Sequence, residues 1–150
     1  MAAQILVVDD ELDMLALLAM IIAEKTEHKV TTTNNPLEVP ELIKTGDYNL
    51  LIADLKMPGM DGVELITEIR KIDKHIPILI ITAYGSVESA EEVIRKGAYD
   101  CITKPFRKEQ ILIAIDRALE WQQMKKELRQ LKEKTVKRQV IKTNVEHIKR

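Results

Sequence analysis

Apolar runs and helically spaced apolar positions alternate along this chain in a steady rhythm. Ile5-Leu6-Val7-Val8 reads as a strand buried on both faces, because no polar position interrupts it. Leu12, Leu15, Leu18, Ala19 and Ile22 then recur at helical spacing, which predicts a helix to about Lys25. The same alternation follows four more times. Lys29 to Thr33 is a short β-branched strand, and Pro36 to Lys44 a second helix. Pro36 and Pro40 cannot both occupy that helix's first position, so its first turn must start late or be distorted. Asn49 to Asp54 reads as a third strand, followed by a helix carrying Val63, Leu65, Ile66 and Ile69. Pro77 to Thr82 is the most uniformly apolar strand. The next helix is capped near Ser86, runs to Lys96 and stops at Gly97, where a C-terminal glycine belongs. Asp100 to Thr103 gives a fifth strand, Pro105 breaks it, and a long helix starts near Lys108.

Five β/α units with short connections predict an α/β fold, a doubly wound parallel sheet with helices on both faces. Ligands in such sheets bind outside the carboxyl ends of the strands. Asp9 and Asp10 follow the first run, Asp54 the third, Thr82 closes the fourth and Lys104 follows the fifth. Each has an ordinary reading taken singly. Asp10 with Asp13 suits a helix N-terminus, Asp54 can cap a turn, Thr82 can end a strand, and a lone lysine is usually solvated. Their joint placement on one edge is the informative fact. Three carboxylates suit Mg²⁺, which takes oxygen ligands and keeps several waters. With the cation present, Asp54 stays ionised and able to attack phosphorus, while Lys104 supplies a point charge and Thr82 a hydroxyl donor.

Composition narrows the classes. The chain has 150 residues, 45% of them hydrophobic, enough for one globular domain with a short appendage. Residues 1–120 carry 13 Lys/Arg against 21 Asp/Glu, whereas 121–150 carry 10 against 3, so an acidic body bears a basic tail. Cys101 is the single cysteine, which excludes an internal disulfide and suits a reducing compartment. No signal-peptide pattern opens the sequence, and no apolar segment is long enough to span a membrane. The expectation is a cytoplasmic protein with no membrane contact.

The strings V-V-D-D-E at 7–11, D-L-K-M-P-G-M-D-G at 54–62, I-T-A-Y-G-S at 81–86 and K-P-F at 104–106 resemble the receiver domain of two-component response regulators. The resemblance covers about residues 3–120. It implies a flavodoxin-like strand order 2-1-3-4-5, and a regulatory phosphoacceptor rather than a turnover enzyme. Asp54 would take a phosphoryl group from a sensor histidine kinase, with Mg²⁺ held by Asp10, Asp54 and the main-chain carbonyl of Lys56, and Asp9 assisting. Thr82 and Lys104 would contact the phosphoryl group, and Lys104-Pro105 would be a cis bond. Lys56 and Tyr84 stand at positions that tune self-dephosphorylation in this family. One departure concerns the switch that pairs Thr82 with an aromatic residue: Cys101 stands where receivers commonly carry Tyr or Phe. Strand alternation would put Tyr99 on the same face as Cys101, as a packing rather than a switching ring.

Beyond a receiver of residues 1–120, residues 121–150 read as a helical tail. Trp121, Met124, Leu128 and Leu131 keep a 3-4-3 spacing, which suits pairing with a second copy or, for Trp121 and Met124, cover of the domain's own base. A homodimer is expected. Past Lys134 the pattern dissolves, as in a partly disordered linker to an effector beyond this segment. The strings together are most similar to receivers of NtrC-type sigma-54 activators, whose effectors are AAA+ ATPase and DNA-binding domains. No G-x-x-x-x-G-K-[ST] occurs, so this chain is not that ATPase. Residues 122–150 lack interleaved aromatics or a helix-turn-helix, which argues against direct nucleic-acid binding. A haloacid-dehalogenase-like phosphatase needs an acid two residues after its nucleophile, and Lys56 stands there. A flavodoxin-like cofactor binder would have to seat a phosphate against Asp9-Asp10-Glu11.

Overall fold

The computed structural model describes residues 2–83 and 85–148, with 137–148 as backbone alone. Tyr84, a position the sequence singles out, lies outside the described residues. Five strands alternate with helices: β1 (Gln4–Val8), α1 (Leu12–Lys25), β2 (Lys29–Thr33), a 3₁₀ turn (Pro36–Glu38), α2 (Val39–Thr45), β3 (Leu50–Ala53), α3 (Gly62–Ile72), β4 (Ile78–Thr82), α4 (Val87–Lys96), β5 (Asp100–Thr103) and α5 (Lys108–Ile148). All strand pairs are parallel and the sheet order is β2-β1-β3-β4-β5, the order expected.

Strand alternation sorts the core into two layers. Leu6, Val8, Leu51, Ala53, Ile78 and Ile80 face α2, α3 and α4, packing on Val39, Leu65, Ile69 and Val93. Ile5, Val7, Leu50, Ile52, Leu79 and Ile81 face α1 and α5, packing on Leu18, Ile22, Ile111 and Ile115. Burial on both faces is why β1, β3 and β4 read as continuous apolar runs.

The two prolines act as their spacing predicts. Pro36 opens a 3₁₀ turn whose first amide donates to Asn35 Oδ1, and Pro40 then sits in the first turn of α2, where a missing N–H costs nothing. Ser86 caps α4 by accepting from Ser89 N at 3.0 Å, and Gly97 ends it in the left-handed region at φ 119°. Leu12 departs from expectation. It has the helical spacing but is 66% exposed, because the first turn of α1 lies past the end of β1, where none of the described residues covers it. α5 also runs further than the repeat suggests: its apolar pattern lapses after Lys134, yet helical backbone continues to Ile148.

Candidate phosphoacceptor site

Asp54 leaves β3 at its C-terminal end, and the chain then turns back tightly. Asp61 caps α3 by accepting from Glu64 N at 2.9 Å, and Gly62 N donates to Leu55 O at 2.7 Å. A Cβ on Gly62 would lie 2.8 Å from Leu55 Cα and 3.0 Å from Asp54 O, so only glycine lets α3 begin this close to the acid's own backbone. The turn thereby braces Asp54, which is 6% exposed.

Lys104 joins three strands' worth of chemistry. Its N–H donates to Thr82 O at 2.7 Å, which pins the end of β5 to the end of β4. Its ammonium lies 3.4 Å from Asp54 Oδ2, 3.4 Å from Asp9 Oδ2 and 4.0 Å from Glu11 Oε1. Asp9 Oδ1 accepts from Glu11 N at 2.9 Å, and Asp54 Oδ1 from Lys56 N at 3.4 Å. Thr82 is fully buried at the same edge. The Lys104-Pro105 bond is cis.

One half-buried ammonium faces two buried carboxylates, and the charges are unevenly compensated. Burial pushes the Asp9 carboxyl up, and the neighbouring Asp54 charge adds to the rise. The Glu11 amide and the Lys104 charge offset it only in part. Burial works in the opposite sense on Lys104, but the charges of Asp54 and Asp9 outweigh it, so the ammonium is held above its usual range. A further cation would relieve the excess negative charge.

Ligand oxygens of Asp9, Glu11 and Asp54 all lie within 4.8 Å of one another, a donor set that fits a hard divalent ion. Asp10, expected from the sequence, is exposed and does not belong to that trio; Glu11 does. Glu11 sits in the same V-V-D-D-E string but reads locally as an ordinary acid before a helix, so only the folded edge reveals it. Cys101 and Tyr99 also part company. Cys101 packs towards the α3 and α4 layer, whereas Tyr99 packs with the α1 and α5 layer, against Trp121 at a ring separation of 5.5 Å. Strand alternation fails there because β5 begins only at Asp100. Burial and the Asp100 charge raise the Cys101 thiol.

A five-stranded sheet in this order, with an acidic edge beside a half-buried lysine, defines a CheY-like receiver. Residues 5–116 match the response regulator receiver domain family, and the chain belongs to that family. It is 34% identical over 128 residues to the regulatory protein AtoC of Escherichia coli K12, covering 85% of this chain and 28% of AtoC. It is likewise 34% identical over 137 residues to the nitrogen assimilation regulatory protein NtrX of Azorhizobium caulinodans, covering 90% of this chain and 30% of that protein. The chain thus spans under a third of the curated relatives it matches. The solved structure of Brucella abortus NtrX with ADP superposes with a TM-score of 0.81 at 36% identity, over 87% of this chain and 30% of that one. The beryllofluoride-activated NtrC4 receiver domain dimer gives 0.75 at 34% identity, over 79% of this chain and 98% of that one. The chain is a two-component receiver similar to those of NtrC-type sigma-54 activators. Receiver domains bind Mg²⁺ at their acidic pocket and are generally signalling modules rather than enzymes. No helix among the described residues is long and apolar enough to cross a membrane.

Proposed function

We propose that Asp54 accepts a phosphoryl group from the phosphohistidine of a sensor kinase and that the modified domain signals to an effector. The observation that carries this reading is the Lys104 ammonium set 3.4 Å from both Asp9 and Asp54 at the sheet's carboxyl edge. An Asp54 oxygen attacks phosphorus, the P–N bond breaks, and its electron pair stays on the departing imidazole, which takes up a proton. Asp54 suits the role because the turn at Gly62 fixes its backbone and its exposure is low enough to strengthen local electrostatics. Lys104 would extend from the carboxylate to the incoming phosphoryl oxygens, and Thr82 would donate its hydroxyl to another. Mg²⁺, when bound, neutralises the acidic cluster and the equatorial phosphoryl oxygens. Asp54, Asp10 and the Lys56 carbonyl would hold it, with Asp9 assisting; the position of Glu11 makes it a further donor. The same residues would assist hydrolysis of the aspartyl phosphate.

The chain would act as a homodimer, with the α5 tail leading to AAA+ ATPase and DNA-binding effector domains like those of NtrC-type proteins. The exposed stripe on α5 and the dimeric NtrC4 receiver support this. Incubation with acetyl phosphate and Mg²⁺ should add one phosphoryl group by mass spectrometry. No adduct, or an adduct that survives Asp54→Asn, would sink the assignment.

A further inference from the structure

Thr82 and Thr103 are partners across β4 and β5. Strand alternation puts both on the face towards α3 and α4, since Ile80 and Cys101 pack in that layer and Ile81 and Ile102 in the other. Neighbouring strands lie about 4.8 Å apart, so the two side chains stand beside each other at the carboxyl edge. The order β3-β4-β5 fixes the sides: Asp54, at the end of β3, flanks Thr82 on one side and Thr103 flanks it on the other. Thr103 also meets the chain that has left β4. A Cβ on Gly85 would collide with Thr103 Oγ1 and lie 2.7 Å from its Cγ2, so the backbone there rests directly on that side chain. Ser86, the next residue, caps α4. The head of α4 has little other anchorage: the helix buries Val93 but no residue of its first turn. Cys101, on the same face as Thr103, is small and opens onto a groove of about 600 Å³ lined by Val87, Ala90 and Ile94.

We propose that Thr103 is a positioning residue for phosphoryl transfer, its branched side chain backing Thr82 and Gly85 from the β5 side and keeping the Thr82 hydroxyl close to Asp54. The proposal rests on the roles given to Asp54 and Thr82 above and adds what holds the second in place. A β-branched side chain is stiff at χ1, so Thr103 is a firm wall rather than a yielding one. Truncating it at Cβ opens space on the side away from Asp54, into which Thr82 and Gly85 relax. A hydroxyl displaced by a fraction of an ångström then stabilises the transferring phosphoryl oxygens less. The effect belongs to the shape of the side chain, which valine shares and alanine lacks. It is separate from Lys104, whose own N–H donates to Thr82 O at 2.7 Å.

Phosphorylation of the full chain by acetyl phosphate at saturating Mg²⁺, followed in T103A, T103V, T82A and T82A/T103A, tests this. Position 103 is exposed, so its changes leave the core intact. T103A should lower the maximal rate by roughly tenfold without changing the acetyl phosphate concentration that gives half of it. T103V should keep the wild-type rate, and adding T103A to T82A should cost nothing further. A T103A rate equal to wild type overturns the proposal and leaves the role of Asp54 standing. So does T103V as slow as T103A, which would give the role to the hydroxyl. An equal loss from T103A with and without the Thr82 hydroxyl also overturns it, because the effect then runs through Lys104 or the fold at large. A T82A rate equal to wild type removes Thr82 from the chemistry and the proposal with it. A wild-type chain that takes no phosphoryl group overturns the role of Asp54 itself, along with everything resting on it.

Discussion

The Lys104 ammonium lies 3.4 Å from Asp54 Oδ2 and equally far from Asp9 Oδ2, although fifty and ninety-five positions separate these residues in the chain. A single cation thus holds two buried carboxylates together at the end of the sheet.

Lys104→Met should slow phosphorylation from acetyl phosphate by roughly a hundredfold, the usual loss when one positioned charge is removed from a transition state. The change retains most of the stem's apolar bulk. Single-turnover measurements at saturating Mg²⁺ give the comparison, and an unchanged rate would remove Lys104 from the chemistry.

Asp9→Asn should stabilise the metal-free domain by about 1 kcal/mol at neutral pH, since it removes one of two buried carboxylates that share a lysine. The sign follows from the raised Asp9 pKa: the folded state binds the proton more tightly than the unfolded one, so ionising Asp9 costs stability. Below the ordinary value of 3.8 both states are protonated and the variant gains nothing from this source; the advantage grows as pH rises through the folded value. Urea titrations in EDTA across that range would show it. Mg²⁺ should raise the melting temperature of the wild type more than that of the variant, and EDTA should reverse the gain.

Gly97→Ala should cost about 1–2 kcal/mol. The residue sits at φ 119°, and a Cβ there would lie 2.9 Å from Arg70 Nε. Arg70 Nε and Nη2 donate to Gly97 O at 3.2 and 2.6 Å, tying the end of α3 to the end of α4. Thermal unfolding of G97A and R70A should show both losses, and additive effects in the double variant would deny their coupling.

The Cys101 thiol should resist alkylation at neutral pH. Burial comes first among the causes that raise its pKa, followed by the charge of Asp100, and the thiolate is the reactive form. Iodoacetamide should react more slowly than with free cysteine, and faster only as pH rises above the ordinary value of 9.0. Rapid labelling at pH 7 in the folded protein would contradict this.

Much of the site was legible in the chain because strand ends are marked by abrupt changes of polarity. Asp9, Asp54 and Lys104 each follow an apolar run, and Thr82 closes one, so a parallel sheet had to gather them on one edge. Glu11 was not legible there. Its neighbours look like an ordinary helix approach, and its place beside Asp9 and Asp54 depends on the turn between β1 and α1. Tyr99 misled for a different reason: period-two alternation holds only inside a strand, and Tyr99 precedes one.

The sequence by itself determined the five β/α units, the prolines at the head of α2, the caps at Ser86 and Gly97, and the heptads of α5, because each depends on local backbone chemistry or on periodicity. Only the tertiary structure decided which carboxylates crowd together, that Lys104 bridges two of them, that Leu12 stays in water and that Tyr99 meets Trp121. Those outcomes depend on distances between residues far apart in the chain, and no local pattern records them.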